Sequence, residues 1–117
     1  MPIQTRRIYD DPKRTDGYRV LIDRLWPRGR TKESVRLDRW AKGLAPSNDL
    51  RKWYCHDREH YDEFREKYIA ELDENREAID ALLQDWKESR KKTLTLLTAT
   101  KDVELSHATV LKEFVAA

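Results

Sequence analysis

The run Val20-Leu21-Ile22, in the middle of an extended segment at residues 18–25, constrains the fold more than any other feature of this chain. A strand with one wet face alternates apolar and polar side chains, whereas a strand apolar at every position is covered on both faces. Helices must therefore flank it. Residues 93–100, Thr-Leu-Thr-Leu-Leu-Thr-Ala-Thr, form a second such segment rich in β-branched residues. Residues 3–9 read as a short first strand, closed by the polar breaker at 10–17.

The stretches between these strands carry helical periodicity. Thr31-Lys32-Glu33-Ser34 can start a short helix, and residues 37–44 suit either a short strand or a turn of helix. Pro46-Ser47-Asn48-Asp49 is a stop and restart, with Ser47 as N-cap of a helix through Leu50, Trp53 and Tyr54. Tyr61, Phe64, Tyr68 and Leu72 mark one amphipathic helix and Ile79, Leu82, Leu83 and Trp86 a second, with a break at Asp73-Glu74-Asn75. The basic run Ser89-Arg90-Lys91-Lys92 suits a helix C-terminus. Leu105, Ala108, Leu111, Phe114 and Val115 form the stripe of a last helix, for which Ser106 is a better N-cap than Asp102. Strands separated by long helical segments imply parallel pairing through right-handed crossovers. The expectation is a single-domain α/β fold with a small, mostly parallel sheet flanked by helices.

Composition narrows the classes. At 117 residues the chain is long enough for one proper core and short for two. Charged residues make up 39% and apolar residues 38%, and four Trp and five Tyr argue against disorder. No apolar run approaches the roughly 18 residues of a membrane span, and the first residues lack the apolar core of a signal peptide. The expectation is a cytoplasmic protein with no membrane partner. The lone Cys55 agrees with a reducing compartment. The net charge of +2 conceals an asymmetry: residues 1–52 carry a net +7 and residues 53–117 a net −5. Alternating charges on solvated helices account for the acidic half, whereas the arginines of the basic half cluster in loops and point to an anionic partner.

Open parallel sheets bind ligands beyond the carboxyl ends of their strands. Two loops fall there. Residues 24–30, Arg-Leu-Trp-Pro-Arg-Gly-Arg, place three guanidiniums on a segment whose Pro and Gly forbid regular structure. Residues 101–106 lead into a helix whose first N–H groups, those of His107, Ala108 and Thr109, and whose dipole favour an anion. Arg24, Arg28, Arg30, Lys101, Ser106 and His107 are thus the candidate ligand-binding residues, for an anionic small molecule or nucleotide. The alternative is that Arg24 and Arg28 make structural ion pairs with Asp23, Asp38 or Asp49, that Trp26 is core, and that Ser106 is only a cap.

Other constellations are weaker. His56 and His60 stand at i,i+4, with His107 as a conceivable third metal ligand, but Asp57 stands where zinc-binding helices of this spacing carry a catalytic Glu, so no metal site is expected. Cys55 and His56 point about 100° apart on a helix and form no dyad. His56 and His107 are the candidate acid/base residues should the protein be an enzyme, although His56 suits better a hydrogen-bonding role that ties its helix to the arginine loop. Three Gly cannot build a phosphate loop or a dinucleotide fingerprint, so no cofactor is expected. The competing reading is a nucleic-acid-binding or regulatory module using the basic N-terminal half.

The series Asp23-Arg24-Leu25-Trp26-Pro27-Arg28-Gly29, Trp40, Lys42, Ala45-Pro46-Ser47, Leu50-Arg51, Trp53, His56, Phe64, Tyr68, Glu71-Leu72, Leu96-Leu97, Lys101-Asp102, His107-Ala108 and Val110-Leu111 resembles the YeaO-like family. That family is a bacterial branch of the larger domain-of-unknown-function 488 group. The resemblance covers nearly the whole chain and implies an α/β domain in the cytoplasm. Related branches show Asp-x-Arg after the second strand and Cys-His-Arg where the last helix begins; here the matching positions read Asp23-Arg24 and Ser106-His107-Ala108. The thiol is absent, so thiol chemistry does not carry over, whereas the anion-friendly helix start does. The YeaO-like pattern has Asn before the His, and Ser106 departs from it while keeping the capping ability.

Overall fold

The computed structural model describes residues 2–54 and 57–116. Its sheet has four strands, β1 (Ile3–Arg7), β2 (Tyr18–Leu21), β3 (Arg39–Trp40) and β4 (Leu94–Thr98), in the order β1-β4-β2-β3, and every pairing is parallel. The helices are α1 (Lys32–Val35), α2 (Asn48–Tyr54), α3 (Tyr61–Glu74), α4 (Arg76–Ser89) and α5 (His107–Ala116). No helix among the described residues is long and apolar enough to cross a membrane.

The buried run of β2 works as its pattern requires, because successive side chains of a strand face opposite ways. Val20 and Ile22, with Leu94 and Leu96 of β4, pack into the main core against Leu50 and Tyr54 of α2, Phe64 and Tyr68 of α3, Leu82 and Trp86 of α4, and Val110 and Leu111 of α5. Leu21 and Leu97 face the other side and meet Ile8 and Val35, with Trp26 and Trp40 packed around them. Both faces are covered, but unequally, with one short helix, α1, on the second face. The rest of that face is closed by a polar network. Asp16, 1% exposed, pairs with Arg6 at 2.7 Å and with the buried Arg19, while Gln4 bridges Asp16 and Thr95. The segment expected to be only a polar breaker thus supplies a buried carboxylate that neutralises two strand arginines. Burial pushes the Asp16 pKa up, but the Lys13 N–H and the two guanidiniums outweigh it and hold the carboxyl below the usual carboxylate range.

The expected elements are present with shorter strands. β2 stops at Leu21 rather than running to residue 25: Ile22 still donates to the Leu97 carbonyl at 3.0 Å, but the Asp23 side chain then takes the backbone N–H of Ala99 at 2.7 Å and ends the ladder. Leu25, placed in the strand by its apolarity, is 65% exposed. The ambiguous residues 37–44 split into β3 and a 3-10 turn at Lys42–Leu44. Ser47 caps α2, accepting from Leu50 N at 3.2 Å, and Glu71 of α3 fixes it by accepting from both the Ser47 N–H and hydroxyl. The break between α3 and α4 falls at Asn75.

Strand order locates the end where a ligand crevice can form. The connection after β2 runs through α1 on the second face, and the chain after β4 runs into α5 on the first. The connections that leave the adjacent strands β2 and β4 therefore go to opposite faces at their carboxyl ends, which makes this a topological switch point, where open α/β sheets form a crevice.

Candidate functional site

A cavity of about 330 Å³ opens at this switch point, bounded by the ends of β1 (Tyr9), β2 (Asp23 to Arg28) and β4 (Ala99, Thr100), by Arg51 and Tyr54 of α2, and by the start of α5 (Ser106, His107). Its inner wall is aromatic. Tyr54 and Phe64 stack at 4.2 Å with planes 14° apart, and the Tyr54 hydroxyl donates to the Leu105 carbonyl at 2.9 Å. Burial raises the Tyr54 pKa, so the phenol stays neutral.

The arginine loop is held from several sides. Arg30 N–H donates to the Pro27 carbonyl at 3.4 Å, closing a turn whose third residue, Gly29, has φ +79°, and the Trp26 indole N–H donates to the Arg30 carbonyl at 2.8 Å. The Tyr9 hydroxyl donates to the Arg28 carbonyl at 3.2 Å, and the Trp40 indole N–H to the Asp23 carbonyl at 2.7 Å. Arg28 occupies the second position of the turn, and its side chain lines the cavity.

The candidate residues separate into groups. Arg24, Arg28, Ser106 and His107 line the one cavity. Arg30 does not; its guanidinium donates to the Tyr9 carbonyl at 3.2 Å and lies over the Tyr9 ring, stitching the loop to the end of β1. Lys101 is exposed in the loop after β4 and is not among the lining residues. His56 and Cys55 lie outside the described residues. Ser106 is buried with its hydroxyl engaged both ways, donating to the Val103 carbonyl at 2.7 Å and accepting from Ala108 N–H at 3.1 Å. One of the helix-start donors expected to face an anion is therefore already capped. His60 sits on the surface, 3.0 Å from Asp57 and against the Trp53 ring.

The ion pairs that would have made Arg24 and Arg28 structural are not formed among the described residues. Among the described residues Arg24 donates only a long 3.4 Å bond, to the Pro46 carbonyl. Asp23 is committed elsewhere: it accepts from the Thr98 hydroxyl and Ala99 N–H, each at 2.7 Å, and its Oδ1 lies 3.1 Å from His107 Nε2. Burial pushes the Asp23 pKa up, but the His107 contact and these donors outweigh it and hold the carboxyl below its ordinary range. His107 Nε2 also lies 3.0 Å from the Ile22 carbonyl. Both neighbours are acceptors, so this nitrogen carries hydrogen and ties α5 to β2.

Sequence reasoning missed Arg51, one turn into α2 and likewise without an ion pair among the described residues. It is exposed and lines the cavity opposite the loop. Its only signal was membership in the family-like series. The assembled site is an apolar, aromatic pocket rimmed by three guanidiniums that pair with no carboxylate among the described residues, a place where an anion can be met by forked donors.

Comparison with known proteins agrees with the resemblance. Residues 2–117 match the family profile described as the inactive DUF488-N3 subclade. The chain is 41% identical to the uncharacterised protein YeaO of Escherichia coli, over 97% of this chain and 96% of that protein. It is 40% identical to uncharacterised proteins of Mycobacterium tuberculosis and Mycobacterium bovis, over 95% of this chain and 91% of theirs. No solved structure matches.

Proposed function

Because the chain belongs to the inactive DUF488-N3 subclade, we propose that the switch-point cavity is a binding site rather than a reaction centre, and that it takes a phosphorylated small molecule or nucleotide. The observation that carries this reading is the set of Arg24, Arg28 and Arg51 around one aromatic pocket, none paired with a carboxylate among the described residues. About 330 Å³ is at the small end of ligand pockets, which span roughly 300–1,000 Å³, so the ligand is a single phosphorylated metabolite or mononucleotide rather than a dinucleotide. The guanidiniums hold its phosphate, and the Tyr54–Phe64 wall takes a ring or apolar body. The polar groups that chemistry would need are spent on structure: Asp23 on the end of β4, His107 on Asp23 and Ile22, and Ser106 on the α5 cap. Ser106 also stands where related branches of the group carry a cysteine.

Thermal unfolding against mononucleotides and sugar phosphates tests this. A ligand at about 100 times its dissociation constant adds roughly 2.7 kcal/mol and raises Tm by several degrees. Arg28→Ala and Arg51→Ala are expected to remove that shift while leaving the unliganded Tm within about 2 °C, as for exposed side chains with no ion pair among the described residues. An Arg28→Ala protein that unfolds early but keeps its ligand response would refute the reading, as would a panel with no phosphorylated hit.

A further inference from the structure

The opposite end of the sheet carries a second concavity with a different chemistry. It is an open groove at the amino ends of the strands, bounded by Gly17 before β2, Leu37 and Asp38 before β3, and Thr93 before β4. Its exposed cations are Lys13, Arg14, Arg36, Lys91 and Lys92, drawn from three segments far apart in the chain. Among the described residues Asp38 is the one carboxylate in its lining, and it pairs with Lys91 at 2.7 Å. Among the described residues Lys13, Arg14, Arg36 and Lys92 have no ion pair, whereas Arg65, Lys67 and Arg76 on the helical surface pair with Glu113, Glu63 and Asp73. Asp16, beneath the groove, is consumed by Arg6 and Arg19 and neutralises none of the four.

Helix dipoles account for part of this charge. The carboxyl ends of α1 and α4 reach this edge and favour cations such as Arg36 and Lys91. Lys13 and Arg14 terminate no α-helix, and Arg36 sits at φ +47°, a left-handed position where glycine is the favoured residue. The cations thus exceed what the helices ask for.

We propose that this groove binds the phosphodiester backbone of duplex nucleic acid, without base readout and independently of the switch-point cavity. Several unpaired cations from three separate segments lining one open groove match a row of phosphates better than one compact anion. Among the described residues the lining holds Pro12 and Leu37 but no aromatic ring on which an unpaired base could stack, which favours a duplex over a single strand. Base specificity has no visible source there.

The test is fluorescence anisotropy of the full chain with a labelled duplex of about 20 base pairs across a salt series. Four phosphate contacts give a slope of log K against log salt near −3.6, or about 150-fold weaker binding between roughly 50 and 200 mM salt. Replacing Arg14 and Lys92 together by Gln is expected to halve the slope, and Arg28→Ala to leave it unchanged. No binding at low salt, a slope unaffected by the double substitution, or stronger binding to a single strand of equal length would overturn the proposal. So would loss of binding in Arg28→Ala, which would assign the contact to the cavity end. Binding to anionic vesicles with none to the duplex would also overturn it, in favour of a membrane surface. Circular dichroism of the double variant guards against misfolding, and Arg36→Gln provides a second variant with the same expected direction.

Discussion

Asp23→Asn isolates what the carboxylate at the end of β2 contributes. In the native protein its two oxygens accept from Ala99 N–H at 2.7 Å, the Thr98 hydroxyl at 2.7 Å and His107 Nε2 at 3.1 Å. The amide removes the charge from all three and turns one acceptor into a donor. If its oxygen keeps Ala99, the NH2 faces the Thr98 hydroxyl and His107. Thr98 can turn toward Thr100 Oγ1 at 3.1 Å and His107 keeps the Ile22 carbonyl at 3.0 Å, which limits the damage. Charge-assisted bonds contribute about 1.5–3 kcal/mol each against about 1 for neutral ones, so the net loss is about 2–3 kcal/mol. For a chain of this length that is roughly 10 °C in Tm. The assay is urea unfolding followed by tryptophan fluorescence. The gap between the two proteins carries a pH signature. Because the folded pKa of Asp23 is depressed, its stabilisation is complete above the unfolded value of about 3.9 and is lost as pH falls through the folded one. The gap should be full near pH 6 and narrow in acid, with Asp16 cancelling because both proteins retain it. A gap below about 1 kcal/mol near pH 6, or one that widens in acid, would refute the reasoning.

Two further expectations concern stability. Gly17 has φ +64°, and a Cβ there would lie 2.3 Å from the Thr93 carbonyl oxygen, whereas Gly29 at φ +79° has nothing within 4 Å of its Cβ position. Gly17→Ala should therefore cost about 3 kcal/mol or more and Gly29→Ala only about 1, measured by denaturant midpoints; equal losses would contradict the geometry. Asp16→Ala strands the buried Arg19 and should cost about 3–5 kcal/mol, more than Asp23→Asn, with a Tm loss under 5 °C counting against the network.

Much of the fold was legible because each signal was local. The unbroken apolar run at Val20-Leu21-Ile22 revealed a strand covered on both faces, and the spacing of Tyr61, Phe64, Tyr68 and Leu72 revealed α3. Strand ends were less legible, since β2 is stopped by a hydrogen bond from Asp23 to the far end of β4, and residues 76 positions apart leave no local trace. The same holds for Asp16, whose partners Arg6 and Arg19 look like surface charges until the sheet brings them under one loop. At the cavity, the arginine loop was legible from its Pro, Gly and three Arg. That Arg30 turns back onto Tyr9 while Arg51 turns in depends on strand order, which periodicity does not encode. The basic run 90–92 reads as a helix terminus, and only folding sets it beside Lys13 and Arg14.

The place of β4 in the sheet governs how the molecule can come into being. β1 pairs with β4 alone, and β2 meets β1 only through it. During synthesis the first 90 residues can form helices and the small β2–β3 contact, but β1 has no strand to pair with until residues 94–98 have left the ribosome. Ordering therefore waits for a central strand that arrives late and closes loops of more than 70 residues at once, placing this protein among the slower folders of its size, with apolar strand surface in need of protection meanwhile.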